Sequence, residues 1–397
     1  RLHSALYSIS AQACLLTTTD ARTPSGHTQA MKFDEAKWTA SELKELDAHK
    51  RNGSWILVDR STVPRDANIV SALWVYKVKR DGTAKSRLCV DGGNQSYGVD
   101  YDQTHASTLR TSTLRVLGSI MAHLGLSSRR YDLVAAYLQG DREPGETIYL
   151  RQPPGHVVKG SDGSARVAVV QKPIYGMKQA GRRLQRKLFP WFKQWEDGKL
   201  TQLYADSCVF IAREGDDILI IGVFVDDCCV LYKHETAGSL FDRFSKAFFD
   251  TWEAEDEGEL SDLLNIHYRV TDDSVTLHQA PYIADLTTRF FPDGVPSKLR
   301  SNQCPYTKEL PAHVLDAVTH GSPKVSAADH KRYRSLTGAL IYLAVCTRPD
   351  IAYAVGMLSR ALHCPPDDLL ADAERLLCYL QHHPYLPPTY NAGTQAP

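Results

Sequence analysis

The sequence predicts an α+β protein, because strand-like and helix-like segments follow one another without a regular β-α alternation. One alternating segment turns at Asp81-Gly82 and continues into a second strand, which is typical of a β-hairpin. A second hairpin over residues 206–225 leads into a third strand at residues 228–233. Strands joined by such short turns pair antiparallel, so antiparallel sheets are expected.

Helix-like segments are marked by apolar residues at helical spacing and by residues that end a helix. Residues 33–51 show this spacing before the stop Asn52-Gly53, and residues 111–124 show it before Gly125. Residues 332–362 predict two further helices, the second beginning at Thr347. Three segments without regular spacing are predicted to be loops or tails: residues 1–29, the acidic stretch 253–262 and the end of the chain from residue 382.

The composition is that of an ordinary globular protein. Of 397 residues 43% are hydrophobic and 23% charged, and the formal net charge is zero, so a nucleic-acid or membrane partner must be sought in local patches. Nine cysteines, an odd number without a C-x-x-C pair, indicate reduced thiols in an intracellular protein. The longest apolar run, residues 218–225, is too short to span a membrane. Because the chain begins at Arg1, we expect a piece of a longer product.

Two adjacent aspartates, Asp226 and Asp227, interrupt an otherwise apolar run. Burying like charges without a partner is costly, so in a metal-free protein we expect strain and at least one raised pKa. Divalent cations would offset that cost, and paired Mg²⁺ ions serve phosphoryl displacement. Asp132, at the end of another apolar strand beside a turn, is the candidate for the additional carboxylate. A water-exposed turn pair, with Asp132 as an ordinary surface residue, is the alternative.

Two segments combine basic and aromatic side chains. The first hairpin carries Lys77, Lys79, Lys85 and Arg87, and residues 171–193 contain seven basic residues and no acidic one. Cations beside aromatic rings can bind nucleic-acid phosphates and bases. A solvated basic surface is the alternative for both segments.

Five collinear motifs, covering roughly residues 30 to 390, resemble the copia-type (pseudoviral) long-terminal-repeat retrotransposon reverse transcriptases. The Asp-Asp pair is similar to the Y/F-x-D-D box of reverse transcriptases. The matching segments are "NGSWILVDRSTVPRDANIVSALWVYKVKRDGTAKSRLCVDG", "YDLVAAYLQGDREPGETIYLRQPPG", "VQKPIYGMKQAGRRLQRKL", "FVDD" and "RYRSLTGALIYLAVCTRPDIAYAVGMLSR".

The resemblance implies a right-hand polymerase fold with fingers, palm and thumb and an antiparallel palm sheet. After a tail at residues 1–29, fingers and palm would occupy residues 30–245 and a thumb-like region residues 246–330. A helical connection would fill residues 331–397, which end before any ribonuclease H motif. The implied activity is RNA- and DNA-directed DNA synthesis, that is, nucleotidyl transfer from a dNTP to a primer 3′-hydroxyl.

The resemblance also implies roles for single residues. Asp132 and Asp226 would bind both of two Mg²⁺ ions, with Mn²⁺ as a substitute, and Asp227 would complete the acidic set. Tyr137 would lie under the incoming sugar and exclude a 2′-hydroxyl, with core packing as the alternative. The other predicted contacts are Lys77, Lys85, Arg87 and Gln179 to the nucleotide, and Lys178, Arg182, Arg183 and Arg186 to template and primer.

Three residues depart from the commoner family pattern: Gly181 replaces Pro, Leu184 replaces Trp and Asn265 replaces Gly. The implied partners are an RNA or DNA template, a primer, dNTPs and the rest of a retroelement polyprotein, namely ribonuclease H, integrase and capsid. No membrane partner is expected. The implied location is intracellular, in a cytoplasmic virus-like particle and the nucleus.

Two other functions fit some of the same residues. A decayed or domesticated copy would keep the fold and bind nucleic acid without catalysis. A metal-dependent hydrolase could use the same aspartates, but the sequence shows neither G-x-S-x-G nor H-E-x-x-H. The three aspartates favour retained polymerase chemistry.

Overall fold

The computed structural model describes residues 23–78, 82–296, 299, 304–320, 326–363 and 367–393. Within them the helices are α1 His27–Arg51, α2 Thr111–Leu124, α3 Ala136–Gln139, α4 Ala180–Gln194, α5 Leu240–Thr251, α6 Ala280–Phe290, α7 Leu310–His320, α8 Ala327–Cys346, α9 Ala352–Ser359 and α10 Asp367–His382. The strands are β1 Trp55–Val58, β2 Ile69–Val70, β3 Ala72–Val78, β4 Ala84–Val90, β5 Ser127–Leu133, β6 Tyr149–Arg151, β7 Val167–Val170, β8 Thr201–Gln202, β9 Val209–Glu214, β10 Asp217–Phe224, β11 Asp227–Tyr232, β12 Ala254–Asp256, β13 Asp262–Leu263, β14 Ile266–Thr271, β15 Ser274–His278 and β16 Thr389–Asn391.

This mixture of helices and mainly antiparallel sheets is the predicted α+β class. The described residues fall into two compact units. The larger unit comprises residues 23–109 and 128–258, and the smaller unit residues 110–127 and 259–393.

The larger unit is built on a six-stranded sheet with the strand order β12-β5-β11-β10-β9-β8. Its central strand β10 carries the longest apolar run of the sequence and is buried over most of its length. A strand buried on both faces loses the polar-apolar alternation of a half-exposed strand, which explains the continuous apolar pattern. A second sheet has the order β1-β7-β6-β2, and β3 and β4 form a separate hairpin.

Helix α4 connects the basic segment to the core of the larger unit. Its Leu184, Leu188 and Phe192 are buried and lie four residues apart, so they share one face of the helix. The Phe192 ring lies 4.8 Å from that of Phe210 in β9 and stacks on Phe248 of α5. Because this face is buried, the basic side chains of the helix must lie on its other sides.

The smaller unit has a helical core and one four-stranded sheet of order β13-β14-β15-β16. Buried leucines of α8, including Leu336 and Leu340, belong to one apolar cluster with Leu376 and Leu380 of α10. The predicted pair of helices is present, although a short 3-10 turn precedes α9. No helix within the described part of the chain is long and apolar enough to cross a membrane.

Two predicted loops are wrong in part. The acidic stretch contains β12, which pairs antiparallel with β5 and sets Glu255 opposite Asp132. The end of the chain contributes β16, which pairs antiparallel with β15. Both strands are short and depend on a partner strand that is distant in sequence, so local patterns do not reveal them. The predicted N-terminal tail lies outside the described residues up to residue 22, and α1 begins inside it at His27.

The division into fingers and palm, thumb and connection stays a prediction, and the compact units cross its boundaries. Residues 110–127, predicted within the fingers and palm, belong to the smaller unit. Residues 246–258, predicted as the start of the thumb, belong to the larger unit. Residues 110–127 belong to the smaller unit because their helix, α2, packs against β15 and β16.

Candidate active site

The three predicted aspartates come together on neighbouring strands of the six-stranded sheet. Asp132 lies one residue before the end of β5, and β11, which begins at Asp227, lies beside β5. Asp226 occupies the turn between β10 and β11, since Phe224 pairs with Asp227. The Leu133 N–H donates a 2.9 Å hydrogen bond to the Asp226 carbonyl and fixes this turn beside β5.

Two carboxylates of the cluster, Asp132 and Asp227, bind a proton more tightly than an ordinary aspartate. Burial, followed by the charges of Asp226 and Asp227, raises the pKa of Asp132 to about 6. Burial also raises the pKa of Asp227, although the charge and hydrogen bonds of Arg130 act in the opposite direction. These shifts agree with the expectation of at least one raised pKa, and they mark a cluster with an excess of negative charge.

The backbone is strained at both turns of the cluster. Val225, directly before Asp226, has a φ of +59°, and Ala135, three residues after Asp132, has a φ of +47°. This left-handed region is unfavourable for a residue with a Cβ atom and especially for a β-branched one. Strain of this kind concentrates at functional sites, where the surrounding structure enforces it.

The donor set suits a divalent cation in its chemistry. Carboxylate oxygens are the ligands that Mg²⁺ prefers, and the raised pKa of Asp132 shows that its neighbours do not compensate its charge. The Asp227 carboxylate, in contrast, accepts hydrogen bonds of 3.0 and 2.8 Å from Arg130. Among the described residues, no group of three or more Asp, Glu, His or Cys side chains is already arranged to hold a metal ion.

A pair of tyrosine rings adjoins the aspartates. The ring centroids of Tyr137 and Tyr175 are 4.6 Å apart, and the Arg87 guanidinium lies 4.7 Å from the Tyr175 ring. Burial raises the pKa of Tyr137, and the Asp226 charge adds to the effect, so Tyr137 lies within electrostatic range of the acidic turn. The structure therefore brings Arg87 and Tyr137 near the carboxylates, and Tyr175 is a neighbour that sequence reasoning missed.

The other two hairpin cations predicted to contact the nucleotide, Lys77 and Lys85, lie side by side on an exposed surface. Lys77 in β3 and Lys85 in β4 are direct partners across the hairpin, as are Val75 and Arg87. The side chains of Lys77 and Lys85 are exposed. A contact of either lysine with a nucleotide stays a prediction.

Gln179 differs from its predicted position nearest the nucleotide. It is fully buried, and its amide nitrogen donates to the Asp100 carbonyl at 2.9 Å and to Glu146 Oε1 at 2.7 Å. The Gln95 side-chain nitrogen donates to the side-chain oxygen of Gln179 at 3.1 Å. The nitrogen and the oxygen of the Gln179 side-chain amide are thus both hydrogen-bonded inside the protein, so Gln179 positions the loops before α4. The preceding Lys178 reaches Tyr101 with its ammonium group, 3.1 Å from the hydroxyl.

The three predicted arginines of α4 fall into different environments. Arg183 is only 6% exposed and forms ion pairs with Glu143 and Glu146, so a role in phosphate binding does not fit its position. Arg186 also pairs with Glu143 but is more than half exposed, and Arg182 donates to Gln103 and to the His105 carbonyl. Phosphate contacts of Arg182 and Arg186 stay predictions.

Two charged residues beside the aspartates were missed by sequence reasoning. Arg130 precedes Asp132 by two positions in β5 and therefore projects from the same face of the strand, which is a signal the sequence contains. Glu257, in the stretch predicted to be a solvated loop, forms an ion pair of 3.1 Å with Arg130. The sequence holds no local sign of this pair.

Comparison with known proteins defines the class. The family described as Reverse transcriptase (RNA-dependent DNA polymerase) matches residues 52–292, more than half of the chain, and the chain belongs to this family. Its relatives place it with the copia-type retrotransposons, as the motifs predicted. It is 29% identical over 381 residues to the retrovirus-related Pol polyprotein from transposon TNT 1-94 of Nicotiana tabacum, covering 91% of this chain and 27% of that protein.

Further comparisons agree with this assignment. The Pol polyprotein from transposon RE2 of Arabidopsis thaliana is 30% identical over 377 residues, covering 90% of this chain and 23% of the relative. The chain thus spans about a quarter of the length of these polyproteins. A solved foamy viral protease-reverse transcriptase in complex with double-stranded DNA aligns over 86% of this chain and 48% of its own. Its TM-score of 0.44 and 12% identity are too low to carry an argument.

Proposed function

We propose that this chain is an RNA- and DNA-directed DNA polymerase that transfers a nucleotide from a dNTP to a primer 3′-hydroxyl. The observation that carries the proposal is the cluster of Asp132, Asp226 and Asp227 on two adjacent strands, where the pKa of Asp132 is raised to about 6. A polymerase needs such an excess of negative charge to attract divalent cations, whereas a purely structural site would compensate it.

Asp132 and Asp226 would hold two Mg²⁺ ions, for which Mn²⁺ can substitute, and Asp227 would complete the set. When bound, such ions neutralise the charge that develops on the attacking and leaving oxygens of an in-line displacement. The protein contributes the strained turns at Val225 and Ala135, which fix the carboxylates before substrate arrives. Preorganisation of this kind lowers the reorganisation required during the reaction.

The pair of tyrosine rings would select the sugar of the nucleotide. Tyr137 packs against Tyr175, and the Arg87 guanidinium packs against the Tyr175 ring in turn, so the Tyr137 ring has little freedom to move away from a substrate. A rigid ring under the sugar would exclude a 2′-hydroxyl by steric clash. Arg87, with Lys77 and Lys85, would neutralise the triphosphate.

Template and primer would be held through their phosphates by Lys178, Arg182 and Arg186. Contacts of this kind are independent of sequence and sensitive to salt, as a polymerase requires. In the polyprotein context, ribonuclease H, integrase and capsid segments are the proposed partners. The proposed location is a cytoplasmic virus-like particle, with the nucleus as a second site.

The test is primer extension on poly(rA)–oligo(dT) with Mg²⁺ and then Mn²⁺. Wild type should extend the primer and Asp226→Asn should not. Asp216→Asn is the matched control, because Asp216 is an exposed aspartate between β9 and β10, at the opposite end of strand β10 from Asp226. Extension by the wild type and the control alone would support the proposal.

The non-catalytic remnant is the second candidate function, and the same variants distinguish it. If wild type and Asp226→Asn both bind the hybrid in a salt-dependent way and neither extends it, the chain only binds nucleic acid. Equal extension by both proteins would place the catalytic site elsewhere and overturn the proposal.

A further inference from the structure

Arg130 occupies an unusual position for a cation, directly beside the proposed metal ligands. Its Nη2 and Nε atoms donate to the same oxygen of Asp227, at 2.8 and 3.0 Å. The ion pair is mostly buried, with 21% of the Arg130 side chain and 16% of that of Asp227 exposed. A guanidinium held this closely competes with any divalent cation for Asp227.

Arg130 has a second acceptor within reach. Its Nε lies 3.1 Å from Glu257 Oε2. Glu257 is fixed in place by the backbone, because its N–H donates to the Arg130 carbonyl and the Arg130 N–H donates to the Gly258 carbonyl, each at 2.9 Å. One guanidinium therefore stands between two carboxylates, of which Glu257 is the more exposed.

We propose that Arg130 is a positioning residue that exchanges between Asp227 and Glu257 and thereby sets the affinity of the acidic cluster for divalent cations. In the metal-free protein Arg130 pairs with Asp227 and keeps the crowded carboxylates apart. When cations occupy the cluster, Arg130 transfers to Glu257 and releases Asp227. This inference rests on the proposed function, since it assigns the cations to the proposed polymerase site.

The arrangement has a physical rationale. Three carboxylates without a cation repel one another, and a neighbouring guanidinium relieves part of that repulsion. The same guanidinium repels a divalent cation unless it can move to another anion, and Glu257 provides that anion without a change of the backbone. The exchange gives up the hydrogen bonds to Asp227, while the ion pair with Glu257 already exists and can accept the donors that Asp227 releases.

The experiment measures Mn²⁺ binding directly, from the electron paramagnetic resonance signal of free Mn²⁺ during titration of the protein. In Arg130→Gln the competing charge is gone, so we expect a Kd that is lower by roughly tenfold. In Glu257→Gln the alternative anion is gone, so Arg130 stays on Asp227 and Kd should rise several-fold. Arg129→Gln is the matched control, because the adjacent Arg129 pairs with Glu235 and not with the aspartates.

A double-mutant cycle separates exchange from a simple change in net charge. If Glu257 acts only through Arg130, Glu257→Gln should hardly change Kd in an Arg130→Gln background. A purely electrostatic effect of Glu257 would be equally large in both backgrounds and would overturn the exchange. Arg130→Lys keeps the charge but loses the fork of donors, so its Kd should lie between those of wild type and Arg130→Gln.

The metal titration does not depend on catalysis. Tighter Mn²⁺ binding by Arg130→Gln with no primer extension by wild type would support the role of Arg130 and overturn the polymerase proposal. Extension by wild type with an unchanged or higher Kd in Arg130→Gln would overturn the role of Arg130 alone. Near-ultraviolet circular dichroism of each variant shows whether it is folded, and if Arg130→Gln is not, Arg130→Lys and Glu257→Gln decide the outcome.

Discussion

Each compact unit contains a partly buried aspartate, and the pKa values of these two aspartates are shifted in opposite directions. In the smaller unit Asp350 receives two hydrogen bonds from the Arg348 guanidinium, at 2.9 and 2.7 Å, and one from Tyr379. Although burial raises the pKa of Asp350, these partners more than offset it and hold that pKa below its usual value. In the larger unit Asp132 faces two further aspartates, and its pKa is raised. The charge of the first carboxylate is compensated by its protein partners, whereas the charge of the second is not.

One turn in each unit can be compared by the residues that it holds at positive φ. The turn between β13 and β14 has positive φ at Leu264 and at Asn265, where the commoner family pattern has glycine. Asparagine tolerates this conformation well, so the departure from glycine at Asn265 adds little strain to the turn. The turn between β10 and β11 places the β-branched Val225 at positive φ instead. The turn beside the uncompensated carboxylates is therefore the one that holds a β-branched residue at positive φ.

The largest expected effect is in the compensated site. Arg348→Met should lower the free energy of unfolding by about 3 kcal/mol, because it leaves the half-buried Asp350 without its cation. Arg348 is only 1% exposed and also donates to the His383 carbonyl, so little water can replace it. Urea denaturation followed by fluorescence measures the change.

The control for this variant is Lys308→Met. Lys308 lies 3.9 Å from Glu309 on an exposed surface, so its loss should change stability by less than about 0.5 kcal/mol. Equal effects of the two substitutions would show that the smaller unit does not depend on its buried ion pair.

A smaller effect of opposite sign is expected in the uncompensated site. Without metal at pH 7, Asp132→Asn should stabilise the protein by about 1–2 kcal/mol, since it removes a charge that burial and the two neighbouring aspartates disfavour. The folded pKa of Asp132, about 6, exceeds that of an unfolded aspartate. The stability contributed by Asp132 is therefore fully present below the unfolded pKa and is lost as pH rises through 6.

The measurement is the difference in unfolding free energy between Asp132→Asn and wild type as a function of pH. It should be near zero at about pH 4 and rise to a plateau above pH 6. Added Mg²⁺ should stabilise wild type and leave Asp132→Asn unchanged. A difference that is constant across pH would contradict a raised pKa.

The smallest effect concerns the two turns. Val225→Asn should stabilise the protein by about 0.5 kcal/mol, because asparagine accepts the left-handed conformation more readily than valine. The reverse exchange in the other unit, Asn265→Val, should cost about 1 kcal/mol at an exposed position where packing does not intervene. Chemical denaturation of both variants provides the test, and a shift in the same direction for both would argue against backbone strain as the cause.

Much of the candidate site could be predicted from local patterns. The hairpin around Asp226 and Asp227 and the strand of Asp132 follow from apolar runs bounded by turns, and the structure brings the three residues together. The surroundings of the residues in and before α4 could not be predicted in this way. Gln179 and Arg183 are buried and paired inside the protein, because acidic partners such as Glu146 come from a separate loop that helical spacing cannot show.

The sequence by itself determined several of the helices, the hairpins and the three aspartates, because the periodicity of apolar residues and the chemistry of turns are local properties. Only the tertiary structure decided which charges those aspartates meet. Arg130 reaches Asp227 because β5 lies beside β11, and Glu257 reaches Arg130 because β12 pairs with β5. Such pairings join residues far apart in the chain and are selected by the packing of the whole sheet, so no short stretch of sequence encodes them.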